Sequence, residues 1–247
     1  MKKLKLSIVI GAYSEAGLIA NSLSEIKSYL NEVKLLSDTE LIVVTADSDD
    51  GTKDIVAEGL KQFPHSNHIR PGERVGKGRD IRLGMLASKG QYVVFMDADL
   101  ATPLTNLAPM LDMLQAGDDV VIGKRSLSTM HSTLTRRLTS QLSNIAIRLI
   151  LWQNLSDTQC GFKGFSQRAA HSIFSKTKVN GWAFDIEVLA LAKKYGLTRQ
   201  EIVLDDWSDP KPPGEGLVGD SQLRSMVSSL IDALKIRWML MTGAYDD

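Results

Sequence analysis

Between Gln91 and Asp97 runs an uninterrupted apolar stretch, Tyr92-Val-Val-Phe-Met96, closed at once by Asp97-Ala98-Asp99. A short apolar run bounded by polar residues reads as a strand buried on both faces, as strands of a parallel sheet are. Two carboxylates one residue apart then sit where that strand ends. Open α/β sheets bind ligands outside the carboxyl ends of their strands. Paired acids there suit a hard divalent cation and, through it, a diphosphate. A plain turn would use the same residues, with Asp97 as a cap and Asp99 in solvent.

Strand and helix signals alternate around that run. Leu6–Ile10, Glu40–Val44, Tyr92–Met96 and Asp119–Ile122 read as strands. Leu18–Leu30, Lys53–Phe63, Asp80–Ser88 and Leu104–Leu114 read as helices, the first with apolar residues at helical spacing. Such alternation predicts a mostly parallel, Rossmann-like sheet with helices on both faces. At 247 residues the chain suits a single α/β domain. The Pro/Gly-rich stretch Asp209–Gly216 is a loop, since too little chain follows it to fold alone.

Composition narrows the function classes. Lys+Arg 29 against Asp+Glu 29 leaves no net field for nucleic acid, so anion binding must be local. The lone Cys160 forms no internal disulfide and suits a reducing, cytoplasmic setting. The apolar run Leu6 to Ala12 is too short to span a bilayer and leads into Tyr13-Ser14-Glu15 rather than a cleavage pattern. Membrane contact, if any, is expected to be peripheral, on a cytoplasmic face.

Two stretches bear on that contact. Lys124, Arg125, Arg136, Arg137 and Arg148 concentrate positive charge, while Leu134, Leu138, Leu142, Ile145, Leu149 and Trp152 recur at roughly helical spacing. A basic amphipathic helix suits an anionic lipid surface or a phosphate-bearing acceptor; a core-packed helix with a solvated basic face has the same pattern. Ser221–Met241 is expected to set Leu223, Met226, Val227, Leu230 and Leu234 on one face, for a lipid surface or a homo-oligomer contact.

Five segments, Ile8–Glu15, Val43–Thr52, Gly76-Lys77-Gly78, Met96–Leu100 and Asp157–Lys163, in that order resemble the GT-A glycosyltransferases of family 2. A sixth, Trp182–Glu187, narrows the match to the glucosyltransferase branch. The resemblance is strongest to dolichyl-phosphate β-glucosyltransferases, with dolichol-phosphate mannose synthases a step further off. It implies a GT-A fold, with residues 1–123 as the nucleotide-sugar half and 124–247 as the acceptor half carrying peripheral amphipathic helices. It implies an inverting transfer of a sugar, glucose from UDP-glucose first, to a polyprenyl or dolichyl phosphate, assisted by Mg2+ or Mn2+. GDP-mannose as donor and a soluble acceptor are the alternatives, and a nucleotide-sugar-binding protein without turnover is a third. A dehydrogenase is disfavoured because no glycine fingerprint follows the first strand.

The resemblance also assigns residues. Asp97 and Asp99 would hold the metal; Asp99, Asp157 and Asp185 would serve the chemistry. Tyr13, Glu15, Asp47, Lys77, Arg79, Asp97, Trp182 and Lys211 would contact substrate. Two departures stand out. The usual Pro-x-Tyr-Asn-Glu is Gly11-Ala12-Tyr13-Ser14-Glu15, and the Asp that reads the base is replaced by Ala46, with Asp47 next to it. Asp50-Gly51-Thr52 remains, and Asp50 or Thr52 can cap the helix that follows. Trp182 and Phe184 would frame the sugar, or else pack in the core.

Overall fold

The computed structural model describes residues 4–125, 145–147, 149–151, 160–204, 207 and 220–246. The elements run β1 (Leu6–Ala12), α1 (Ile19–Glu32), β2 (Thr39–Thr45), α2 (Thr52–Leu60), β3 (Ser66–Ile69), α3 (Lys77–Ala87), β4 (Tyr92–Asp97), α4 (Leu107–Gln115) and β5 (Val120–Arg125). There follow β6 (Phe162–Ser166), α5 (Gln167–Phe174), α6 (Phe184–Lys194), β7 (Arg199–Leu204) and α7 (Asp220–Met241). Residues 145–147 and 149–151 are helical as well.

One sheet carries all seven strands in the order β3-β2-β1-β4-β6-β5-β7. Pairing is parallel except where β6 runs against both β4 and β5. Period-two alternation splits the strand residues between two cores. Leu6, Ile8, Ile10, Val94 and Met96 pack beneath α1 and α4, whereas Val9, Val44, Val93 and Phe95 pack beneath α3, α5 and α6. Both faces are covered, which is why the strands read as unbroken apolar runs.

Chain order places β1 between β2 and β4, so the strand sequence reverses there. That is the switch point at which open α/β sheets form a crevice. Gly11 is in register with Asp97, and Ala12 with Thr45, so the β1, β2 and β4 loops leave side by side. Because β6 is antiparallel, with Phe162 opposite Met96, its start enters the same end of the sheet.

Several expectations need correction. The strands β3, β6 and β7 were not expected, and Asp157–Lys163 leads into β6 rather than directly into a helix. Lys124 and Arg125 are strand residues, not part of a basic helix: Lys124 approaches Glu201 at 3.9 Å, and the Arg125 guanidinium lies 5.5 Å from the Trp207 ring centre. The α7 face expected to meet lipid or a second copy is divided, with Val227 and Leu234 outward as expected but Leu230 turned into the core. Leu230, Ala233 and Ile236 pack with Ile147, Leu151 and Ile186, while Val227 and Leu234 are exposed. Asp157, Lys211 and the run from Arg136 to Leu142 lie outside the described residues.

Candidate active site

The β1 and β2 loops are tied together by one carboxylate. Thr52 donates its hydroxyl to Asp50 Oδ1 and Oδ2 at 2.7 and 2.8 Å, Ser48 adds a bond of 2.8 Å, and the Thr52 N–H another of 3.1 Å. The β1 loop joins through the Ala16 N–H, 3.0 Å from Asp50 Oδ2, and the Glu15 N–H, 2.8 Å from Thr52 Oγ1. The Ala16 N–H and then the Thr52 hydroxyl hold the Asp50 carboxyl well below the usual range. Asp50-Gly51-Thr52, read as a helix cap, is therefore also a clamp. Ser14 is held at φ 57, a left-handed conformation unusual away from glycine.

Tyr13 lies within that clamped loop, and Arg74 covers its ring at 3.7 Å. Nothing in the sequence pattern around Arg74 pointed to this stacking, apart from a basic residue near a glycine-rich turn. Asp47 points outward and pairs with Lys53 at 3.2 Å, while Ala46 is buried beneath it.

At the end of β4, Asp97 bonds to Lys77 from the first turn of α3. Burial draws the Lys77 ammonium down, but Asp97 and Asp185 outweigh it and hold its pKa above the ordinary value. Asp99 Oδ1 accepts the Ala101 N–H at 3.1 Å. Burial pushes the Asp99 carboxyl up, and the Asp97 charge adds to that. The intervening turn holds Leu100 at φ 50, strained for a bulky side chain. A Cβ on Gly161 would sit 1.8 Å from Asp97 Oδ2, so only glycine fits where β6 begins.

Behind this pair lies a buried ion pair. Lys163 from β6 donates to Asp185 Oδ1 at 2.5 Å and to the Cys160 carbonyl at 2.5 Å, with its ammonium 5.3 Å from the Phe95 ring centre. Burial raises the Asp185 pKa, against the pull of Lys163 and Lys77. Phe184 belongs to the core, its ring centroid 5.6 Å from that of Phe95. Trp182 stands 68% exposed, with Lys77 Nζ 4.9 Å from its ring centre. Arg79 is engaged locally, with Asp80 at 3.1 Å and the Glu73 carbonyl at 2.7 Å.

The glycines around Lys77 serve packing. A Cβ on Gly76 would meet the Asn180 carbonyl oxygen at 2.3 Å, and one on Gly78 that of Val179 at 2.5 Å. The close approach that these glycines permit is made to the protein's own backbone.

Asp97, Lys77, Asp99, Trp182 and Asp185 thus come from three parts of the chain to one end of the sheet. Among the described residues no group of three or more His, Cys, Asp and Glu side chains could hold a metal. The Asp97–Asp99 pair nonetheless offers two hard oxygen donors under mutual repulsion, which a divalent cation would relieve.

Residues 7–174 match the family Glycosyl transferase family 2. The chain is 28% identical to a dolichyl-phosphate beta-glucosyltransferase of Dictyostelium discoideum over 97% of its own length and 76% of the relative's. It is 29% identical to a human dolichyl-phosphate beta-glucosyltransferase, covering 98% of this chain and 77% of that one. Among solved structures, it is similar to glucosyl-3-phosphoglycerate synthase from Mycobacterium tuberculosis in complex with Mn2+, UDP-glucose and phosphoglyceric acid. That match has a TM-score of 0.67 at 20% identity and covers 95% of this chain and 79% of that one. The shared architecture is the GT-A fold.

Proposed function

The chain belongs to glycosyl transferase family 2, and from that premise we propose that it transfers glucose from UDP-glucose to the phosphate of a polyprenyl lipid such as dolichyl phosphate, inverting the anomeric carbon. The observation that carries this reading is the meeting of Asp97, Lys77 and Trp182 at the crevice between β1 and β4. The near full-length likeness to dolichyl-phosphate beta-glucosyltransferases supports the choice of sugar and acceptor.

Asp99, with Asp97 beside it, would hold Mg2+ or Mn2+, which when bound supplies positive charge to the leaving diphosphate. Lys77 adds a second positive charge at the same place and, with Arg79 nearby, favours the diphosphate. Tyr13, Glu15 and Asp47 line the nucleoside side, with Asp47 in the role that Ala46 cannot fill. Trp182 offers an exposed aromatic face to the sugar's C–H groups. Asp185 keeps Lys163 neutralised beneath the floor of the site and adds negative charge below Lys77. Asp157 is assigned to steering the sugar and Lys211 to contacting substrate on the family resemblance, both lying outside the described residues.

In the transfer, an acceptor phosphate oxygen forms a bond to the anomeric carbon as the bond to UDP breaks, and UDP leaves with the electron pair. A phosphate monoester is already anionic at neutral pH, its second pKa being about 6. It needs little general-base help. With a hydroxyl acceptor, Asp157 would have to take the proton.

Such an acceptor is met at a bilayer surface, and α7 suits one. No helix among the described residues is long and apolar enough to cross a membrane. Val227, Ile231, Leu234, Trp238 and Met241 are exposed along α7 at spacings of four, three, four and three. That spacing also builds coiled-coil seams. Lys235 and Arg237 flank it, against one acid, Asp232, 3.6 Å from Lys235, and the remaining positive charge favours an anionic lipid surface on the cytoplasmic face. The homo-oligomer reading is therefore the weaker one.

The test is a screen of UDP-glucose and GDP-mannose against short polyprenyl phosphates with Mn2+, products followed by mass. A glucosyl phosphopolyprenol from UDP-glucose is expected. Faster turnover of GDP-mannose, or of a water-soluble acceptor alone, overturns the assignment; no turnover with any pair favours a binding protein.

A further inference from the structure

Glu187 closes the Trp182–Glu187 motif yet takes no part in the chemistry above. It is fully buried, at 0% exposure. A buried carboxylate is costly unless its oxygens are answered. Oε1 accepts the Lys178 N–H at 2.8 Å and the Tyr245 hydroxyl at 2.7 Å, and Oε2 accepts the Val179 N–H at 3.0 Å. Burial pushes the carboxyl up, and these three donors draw it back. Tyr245, just past the end of α7, is itself buried, and its carbonyl accepts the Tyr195 hydroxyl at 3.2 Å.

The backbone that Glu187 grips is the surface on which the Lys77 turn is built. Arg82 donates to the Thr177 carbonyl and to Asn180 Oδ1, both at 3.0 Å, and the Arg79 N–H reaches the Asn180 carbonyl at 3.3 Å. Gly76 and Gly78 lie against the Asn180 and Val179 carbonyls, with Lys77 between them. Beyond Gly181 stands Trp182, whose ring faces the Lys77 ammonium. A shift of residues 178–181 would therefore displace both Lys77 and Trp182.

We propose that Glu187, braced by Tyr245, is a positioning residue: its carboxylate holds the backbone of Lys178 and Val179, and so sets the wall of Lys77 and Trp182 that receives the donor sugar diphosphate. This rests on the reading of Lys77 and Trp182 as donor-facing. Losing the Tyr245 hydroxyl leaves the loop held but less often in the competent arrangement. Donor affinity falls by the competent fraction, while bound donor reacts as before.

Tyr245→Phe in the full chain tests this by hydrogen exchange and by UDP-glucose kinetics. Exchange across residues 177–182 should quicken about tenfold, with β1 and β4 unchanged. Donor KM should rise by about the same factor, with kcat kept within about twofold. Glu187→Gln preserves volume, but its amide nitrogen cannot accept the second backbone N–H. It should therefore be worse than Tyr245→Phe, whereas a mere space-filling role would tolerate it. Unchanged exchange at 177–182 in Tyr245→Phe, a rise spread over β1 and β4, or a fall in kcat at constant KM overturns the proposal. The exchange readout needs no turnover, so it stands or falls separately from the substrate assignment.

Discussion

Asp99 and Asp50 are two carboxylates at strand-end loops with opposite electrostatics. Burial and Asp97 raise the Asp99 pKa in the folded chain. A carboxyl raised on folding binds its proton more tightly in the native state, so its ionised form costs stability at neutral pH and that cost fades as pH falls through the raised value. Asp99→Asn keeps an acceptor for the Ala101 N–H and removes the charge. In chelator at pH 7 it should melt no lower than wild type, and that advantage should shrink on acidification. Transfer should fall by at least about a hundredfold. A variant that melts several degrees lower while still transferring glucose would refute this account. Asp50 has the opposite sign. Its depressed pKa gives stability that is present above the unfolded value of about 4 and is lost as pH falls below it. Asp50→Ala should thus be less stable than wild type at pH 7, and the gap in urea midpoint should begin to narrow between about pH 4 and pH 3, closing only at lower pH. Its freed β1 loop should also raise donor KM. A gap that persists unchanged at pH 3 would mean the clamp is not ionic.

The antiparallel return of β6 brings Gly161 against Asp97, a contact between elements 64 residues apart in numbering. Gly161→Ala should push the Asp97 carboxylate out of line with Lys77, since the new Cβ has no room. Overpacking of this kind costs about 1–3 kcal/mol. The melting temperature should drop by a few degrees, and Mn2+-dependent transfer should be nearly lost. Unimpaired transfer in Gly161→Ala would show that Asp97 can move freely, against the reading of that pair. This element was poorly legible beforehand. Phe162-Lys-Gly-Phe-Ser166 mixes a lysine and a glycine into a strand, and β3 is four largely polar residues on an edge. Neither carries the apolar run that betrayed β1, β2 and β4.

At the scale of the whole molecule, the exposed stripe on α7 predicts how the protein meets its acceptor. Wild type should sediment with anionic vesicles at low salt and dissociate as salt screens the attraction. Leu234→Glu with Trp238→Glu should stay in the supernatant, because both side chains, 56% and 65% exposed, would no longer enter the interface. Turnover of a short, water-soluble polyprenyl phosphate analogue should be unaffected, as both side chains are exposed and neither is placed in the site. Vesicle binding by the double variant at wild-type level would move the docking surface elsewhere.

Local chemistry was enough to make the central strands and the crevice legible: strands buried on both faces must be apolar throughout, and the polar residues that end them must then gather at one edge. The acids Asp97 and Asp99, the Tyr13 loop and the family resemblance all follow from that local pattern. Partnerships across the chain were not legible, because they depend on which distant segments the fold apposes. Nothing around Lys163 in the sequence shows that α6 brings Asp185 against it, 2.5 Å away. Gly76 and Gly78 permit a close backbone approach, but only the fold shows that the Val179–Asn180 backbone makes it. Arg74 over Tyr13, and Tyr245 behind Glu187, carry no sequence signal at all. A side chain's type is written locally; whether it is buried, paired or free to meet substrate is decided by neighbours that only the tertiary structure supplies.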